Sequence, residues 1–155
     1  MLSKNFEILT PLSKLHRISR QIHDTDTFAV EAGMFVGLDT TGRLVNLSGV
    51  ITAGTVELCI SNAIAGKVGG VDNPLASYEG NDTKIGSATT IAEPGIRVAV
   101  GDALVTGTPS IGDAAFVAED GAGFDTNATV GIKVGVVTGV GSLTEIRLIE
   151  PTVVA

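Results

Sequence analysis

Apolar residues recur at two different spacings along the chain. From Thr10 to Ile22 (TPLSKLHRISRQI), Leu12, Leu15, Ile18 and Ile22 fall at helical intervals. Thr10 stands where an N-cap would, and Pro11 suits the first helical position. Lys14, Arg17 and Arg20 fall away from that stripe. The pattern predicts a short amphipathic helix, or an arm that orders only when it lies on a partner. After the turn-like His23-Asp24-Thr25-Asp26 no helical period is sustained, and short alternating or apolar runs take over. Strands are expected at Phe28–Val30, Met34–Leu38, Arg43–Leu47 and Val56–Ile64. Asp39 to Gly42 forms a hairpin turn between the second and third of these. The stretch from Gly66 to Gly86 is dense in Gly, Asn, Asp and Pro and reads as a long surface excursion. Five more strands follow, at Ile96–Val100, Ala103–Val105, Ala114–Ala118, Ile132–Val137 and Thr144–Ile149, separated by Gly-Asp and Asp-Gly turns. A weak echo links Gly33 to Gly42 with Gly112 to Gly123, each reading as strand, acidic turn, strand.

Short strands at near-regular spacing favour an all-β barrel or sandwich over a parallel α/β sheet. With 155 residues the chain is expected to hold one such domain, over residues 27–155, preceded by an extended or short-helical N-terminal arm over residues 1–26. An apolar fraction of 44% is enough to form a core, but aromatics at 4% and the absence of Trp leave few platforms for stacking bases. Charge is uneven. Residues 1–20 carry +3 (Lys4, Lys14, Arg17 and Arg20 against Glu7), which leaves −10 for the rest of a chain of formal net charge −7. An acidic body repels phosphate, so nucleic acid is disfavoured as a partner, whereas the basic arm suits an acidic neighbour. No apolar run approaches the ~20 residues that span a bilayer, and the N-terminus has no signal-peptide pattern. The expectation is a chain kept in a cytosol-like compartment or in a particle assembled there.

Catalytic chemistry finds little footing. Gly66-Lys67 is followed by Val68, where a P-loop needs Ser or Thr, and Gly139-Val140-Gly141 lies between strands without the helix a dinucleotide site requires. His16 and His23 match no usual zinc spacing; with Asp24 and Asp26 they offer at most a weak metal site, and a solvated turn is the simpler reading. No nucleophile elbow G-x-S-x-G is present. Cys59, in the alternating run Val56–Ile60, shares a face with Glu57 and reads as a partly covered structural thiol. No catalytic residue, metal ligand or cofactor is therefore expected. A small ligand-binding barrel or enzyme using His16 or His23, and a nucleic-acid binder working through the arm, remain as alternatives of a different class.

The closing third carries a specific pattern: IRVAVGDALV from Ile96, then IGDAAFVAEDGAGF, then GIKVGVVTGVGSLTEIRLIE. In it a Gly-Asp turn (Gly112-Asp113) precedes a strand and an acidic Gly turn (Asp120-Gly121) follows. The chain then closes with Gly131 to Val136 and an alternating strand from Glu145 to Ile149. The pattern resembles the small decoration, or cement, proteins of tailed-bacteriophage capsids. It covers the last third and, through GMFVGLDTTGRLV, one hairpin of the first half; the basic N-terminal segment departs from it. The resemblance implies a homotrimeric virion structural protein with a β-barrel or β-tulip-like body and without enzymatic activity. Such a protein is assembled in the host cytoplasm and binds the outer surface of the major capsid protein shell. Under that reading Phe6, Leu9, Leu12, Leu15, Ile18 and Ile22 are the expected apolar contacts, and Lys14, Arg17 and Arg20 set their register. The competing reading of the same stripe is a segment packed on its own barrel. A tail, neck or fibre component of the same kind of virion is the structural alternative.

Overall fold

The computed structural model describes residues 5–21, 29–39, 42–45, 47, 55–60, 63–64, 67–68, 71–72 and 87–155. Among them the fold is all-β, with three short 3-10 turns and no α-helix. In chain order the strands are Phe6–Ile8 (β1), Ile18–Gln21 (β2), Ala29–Val30 (β3), Phe35–Leu38 (β4), Leu44–Val45 (β5) and Glu57–Cys59 (β6). Ala63–Ile64 (β7), Lys67–Val68 (β8), Val71–Asp72 (β9), Ser87–Ile91 (β10) and Arg97–Val100 (β11) follow. The last five are Val105–Thr106 (β12), Ala114–Val117 (β13), Phe124–Asp125 (β14), Gly131–Gly139 (β15) and Thr144–Val154 (β16). A seven-stranded sheet runs β1-β11-β16-β15-β13-β14-β12 and a five-stranded sheet runs β2-β10-β6-β4-β5; β3 with β7 and β8 with β9 form separate ribbons. One sheet curls into a half-barrel.

The two sheets meet over a single apolar core. Phe35, Val56, Leu58 and Ile91 come from the five-stranded sheet and its approach, and Val98, Val100, Phe124, Val134, Val137, Ile146 and Leu148 from the seven-stranded one. Phe35 and Phe124 join them edge to face, with centroids 5.1 Å apart and planes at 86°, a geometry that sets the positive edge of one ring on the negative face of the other. The longest ladder pairs β15 with β16 and is interrupted twice. Between Lys133↔Thr152 and Gly135↔Leu148 the register slips by two, so that Ile149, Glu150 and Pro151 oppose Val134 alone. The bulge leaves Pro151, which has no N–H to donate, out of the regular ladder.

Most expected strands are present, with shifted ends. The Asp39–Gly42 turn closes β4 onto β5: the Asp39 N–H donates to the Arg43 carbonyl at 2.9 Å, and the Asp39 carboxylate accepts from the Arg43 N–H at 2.9 Å. The echo between the two halves corresponds to two antiparallel hairpins, β4–β5 and β13–β14, each entered through a turn closed by an i+3 N–H (Met34 to Glu31 and Asp113 to Ser110, both 3.0 Å). Three expectations are corrected. Of the two forms expected over 10–22, the helical one is not found among the described residues: Leu12–Lys14 makes one 3-10 turn and Ile18–Gln21 is a strand on β10. A helix of that length is marginal in water, and pairing with β10 outweighs its propensity. Ala103–Val105 is mostly a 3-10 turn (Asp102–Leu104) ahead of β12. Val56–Ile64 is not one strand but β6 and β7. In the expected excursion over 66–86, β8 and β9 pair with each other and the remainder lies outside the described residues. Strands β1 and β10 lie outside the expected runs.

Candidate interaction surface

The N-terminal segment joins the two sheets. β1 adds to the edge of the seven-stranded sheet by antiparallel pairing with β11 (Phe6↔Val100, Ile8↔Val98), and β2 adds to the edge of the five-stranded sheet by pairing with β10 (Arg20↔Ala88, Ile18↔Thr90). Residues 9–17 cross between them as a strap. Its attachments are the Leu9 N–H on the Arg97 carbonyl (2.8 Å), the Thr10 hydroxyl accepting from the Arg97 N–H (2.8 Å), and the His16 N–H on the Glu93 carboxylate (3.1 Å). Thr10 thus binds β11 instead of capping a helix.

The strap sorts the residues expected to contact a partner. Phe6 and Leu15 are half-buried against the core, so they belong to the body itself. Ile18 is half-buried in β2. Leu9, 40% exposed, and Lys14 and Arg17, both exposed, face outward. Neither Lys14 nor Arg17 has an ion pair among the described residues. The side chain of Leu12, and Ile22 altogether, lie outside the described residues, as does position 26, where the expected arm would end.

Arg20 is engaged within the fold. Its Nε and Nη2 donate to the two oxygens of Glu57 at 3.1 and 2.9 Å, and the Thr90 hydroxyl donates to Glu57 Oε1 at 2.6 Å. Glu57 is 6% exposed, so its charge is tolerated only because a forked cation and a hydroxyl replace its water. The alternation at Val56–Ile60 is observed, with Val56 and Leu58 in the shared core, but the face bearing Glu57 and Cys59 is covered as well. Cys59 is fully buried, and burial together with the charge of Glu57 pushes its thiol up from 9.0 to about 12. A thiol so rarely ionised near neutral pH is a packing group and a poor nucleophile. The His16 ring is exposed, while His23, Asp24 and Asp26 lie outside the described residues. No three His, Cys, Asp or Glu side chains gather as a metal site among the described residues. Comparison of the chain with protein-family models, with curated proteins and with solved structures gave no match.

What remains is a surface suited to contact: an outward basic strap fixed at both ends to an acidic β-body. The Arg20–Glu57–Thr90 cluster escaped the sequence reading because its members lie 37 and 33 residues apart with no local pattern joining them. The strand character of β1 was visible as the alternation Phe6-Glu7-Ile8.

Proposed function

We propose that the chain is a structural protein of a tailed-bacteriophage particle, a decoration or cement protein that binds the outer surface of the major capsid protein shell as a homotrimer and stabilises it. The observation that carries this reading is the contiguity of the residues that resemble such proteins. The Gly112-Asp113 turn opens β13, the Asp120-Gly121 turn closes it onto β14, Gly131–Val136 lies in β15 and Glu145–Ile149 in β16. β13, β15 and β16 are neighbours in one sheet, so these motifs act as one folded unit. A body of this kind works by area of contact, and a strap carrying exposed Lys14, Arg17 and Leu9 gives a partner both electrostatic and apolar features to match.

The test is binding to shells. Capsids assembled without the chain are mixed with the purified protein, sedimented and imaged by cryo-EM, and the mass of the free protein is measured by light scattering. A fixed number of copies per head, and decorated heads that outlast bare ones on heating, are expected. Protein left in the supernatant overturns the proposal. Density confined to the tail or neck moves the chain to those structures.

A further inference from the structure

Four residues stand in register across four adjacent strands of the large sheet: Glu7 on β1, Ala99 on β11, Glu145 on β16 and Gly139 on β15. Their neighbours along each strand, Phe6 and Ile8, Val98 and Val100, and Ile146, face the core, so this row faces outward. Its two short residues, Ala99 and Gly139 on either side of Glu145, leave a depression. At Gly139 a Cβ would lie 3.0 Å from Glu145 Oε2, so the Glu145 side chain lies flat across the glycine. The β15–β16 turn, with Val140 and Leu143, and Leu9 wall the depression into an open groove of about 360 Å³. Val140 is 54% exposed and Leu9 40%. Glu145 accepts from Arg97 Nη2 at 2.7 Å, whereas Glu7 is exposed and has no ion pair among the described residues. The groove therefore combines aliphatic walls with one uncompensated carboxylate.

We propose that this groove docks an extended segment of a partner protein that presents a Lys or Arg two residues from an aliphatic side chain. Residues i and i+2 of an extended chain project to the same side, about 7 Å apart. The head of the cation lies at Glu7 and its aliphatic stem along Leu9, as long basic side chains do on apolar ground beside water. The aliphatic residue then packs on Val140 and Leu143. This site shares Leu9 with the strap but is opposite to Lys14 and Arg17 in charge preference, and the inference does not rest on the virion reading.

The experiment is an NMR titration of the 15N-labelled full chain with the blocked peptide acetyl-Gly-Leu-Thr-Lys-Gly-amide, and with its counterpart carrying Glu in place of Lys. Expected are saturable shifts, at millimolar peptide, confined to the amides of Glu7, Ala99 and residues 139–145, that weaken with added salt and are absent with the Glu peptide. Glu7→Gln, at an exposed position, should weaken binding about two- to fivefold. Val140→Lys, which sets a cation of the chain's own at the mouth, should abolish it. Equal shifts with both peptides, shifts scattered over the surface, or unchanged affinity in Glu7→Gln would overturn the inference. So would a Glu7-dependent dimer in sedimentation, which would make a second copy the occupant.

Discussion

A carboxylate can be held in a protein interior only if the interior supplies what water would have supplied. Glu57 receives three hydrogen bonds, two from Arg20 on the edge strand β2 and one from Thr90 on β10. Arg20→Met removes the charge partner and leaves the carboxylate buried, and it is expected to cost about 3 kcal/mol in urea unfolding. Adding Glu57→Gln should recover most of that loss, because the amide oxygen still accepts from Thr90 and no charge is stranded. Losses that simply add across this cycle would show that the two side chains are not coupled. On the same face, the Cys59 thiol is raised from 9.0 to about 12, by burial first and by Glu57 second. The folded chain thus keeps its thiol proton where the unfolded chain has lost it. The unfolded state then binds fewer protons, so the Cys59 contribution is complete below pH 9 and is lost as pH climbs toward 12. The slope is at most about 1.4 kcal/mol per pH unit. Stability measured against pH should fall less steeply over that window in Cys59→Ala; parallel curves would rule the thiol out as the cause.

Between residues and the whole, the turns decide how the sheets meet. Gly121, at φ +75°, follows β13 and lies so close to β4 that a Cβ would stand 2.2 Å from the Phe35 carbonyl oxygen. That oxygen is backbone and cannot step aside without moving the strand. Gly112 has a similar conformation, φ +95°, but nothing within 4 Å of where its Cβ would be. Gly112→Ala should therefore cost only the left-handed penalty, about 1–2 kcal/mol, while Gly121→Ala should add overlap to it and cost at least about 3 kcal/mol. Equal melting shifts for the two variants would mean that the approach of the β13–β14 turn to β4 is not a constraint. The same distinction separates what could be read in the sequence from what could not. Strands closed by their own turns, such as β4 with β5 through Asp39 and Gly42, β13 at Gly112-Asp113 and β15 with β16 at Gly139–Gly141, announce themselves locally. β2 does not: its apolar residues repeat at helical spacing, and the strand that claims it, β10, lies more than sixty residues downstream. The register that lines Glu7 up with Glu145 is likewise a property of the ladder β1-β11-β16, and no motif in either segment contains it.

At the scale of the molecule, the N-terminal segment both completes the fold and carries the exposed cations Lys14 and Arg17, and these roles must be separated before either can be tested. Deleting residues 1–21 would strip one edge strand from each sheet and uncover the core where Phe6, Ile8 and Leu15 pack. It would also leave Glu57 without Arg20. The expected product is a destabilised, aggregation-prone chain with open strand edges on β11 and β10. Its failure to bind a particle would say nothing about contact. The outward charges can be removed without touching the ladder. Lys14 and Arg17 are exposed and unpaired among the described residues, so Lys14→Ser with Arg17→Ser should change stability by no more than about 0.5 kcal/mol. If the strap meets an acidic partner surface, the double variant binds particles more weakly at low salt, and its deficit relative to the unaltered chain shrinks as salt screens the interaction. Sedimentation at two ionic strengths reads this directly. Equal binding at both would assign the contact to another face of the body and leave the strap as the clasp that closes one sheet onto the other.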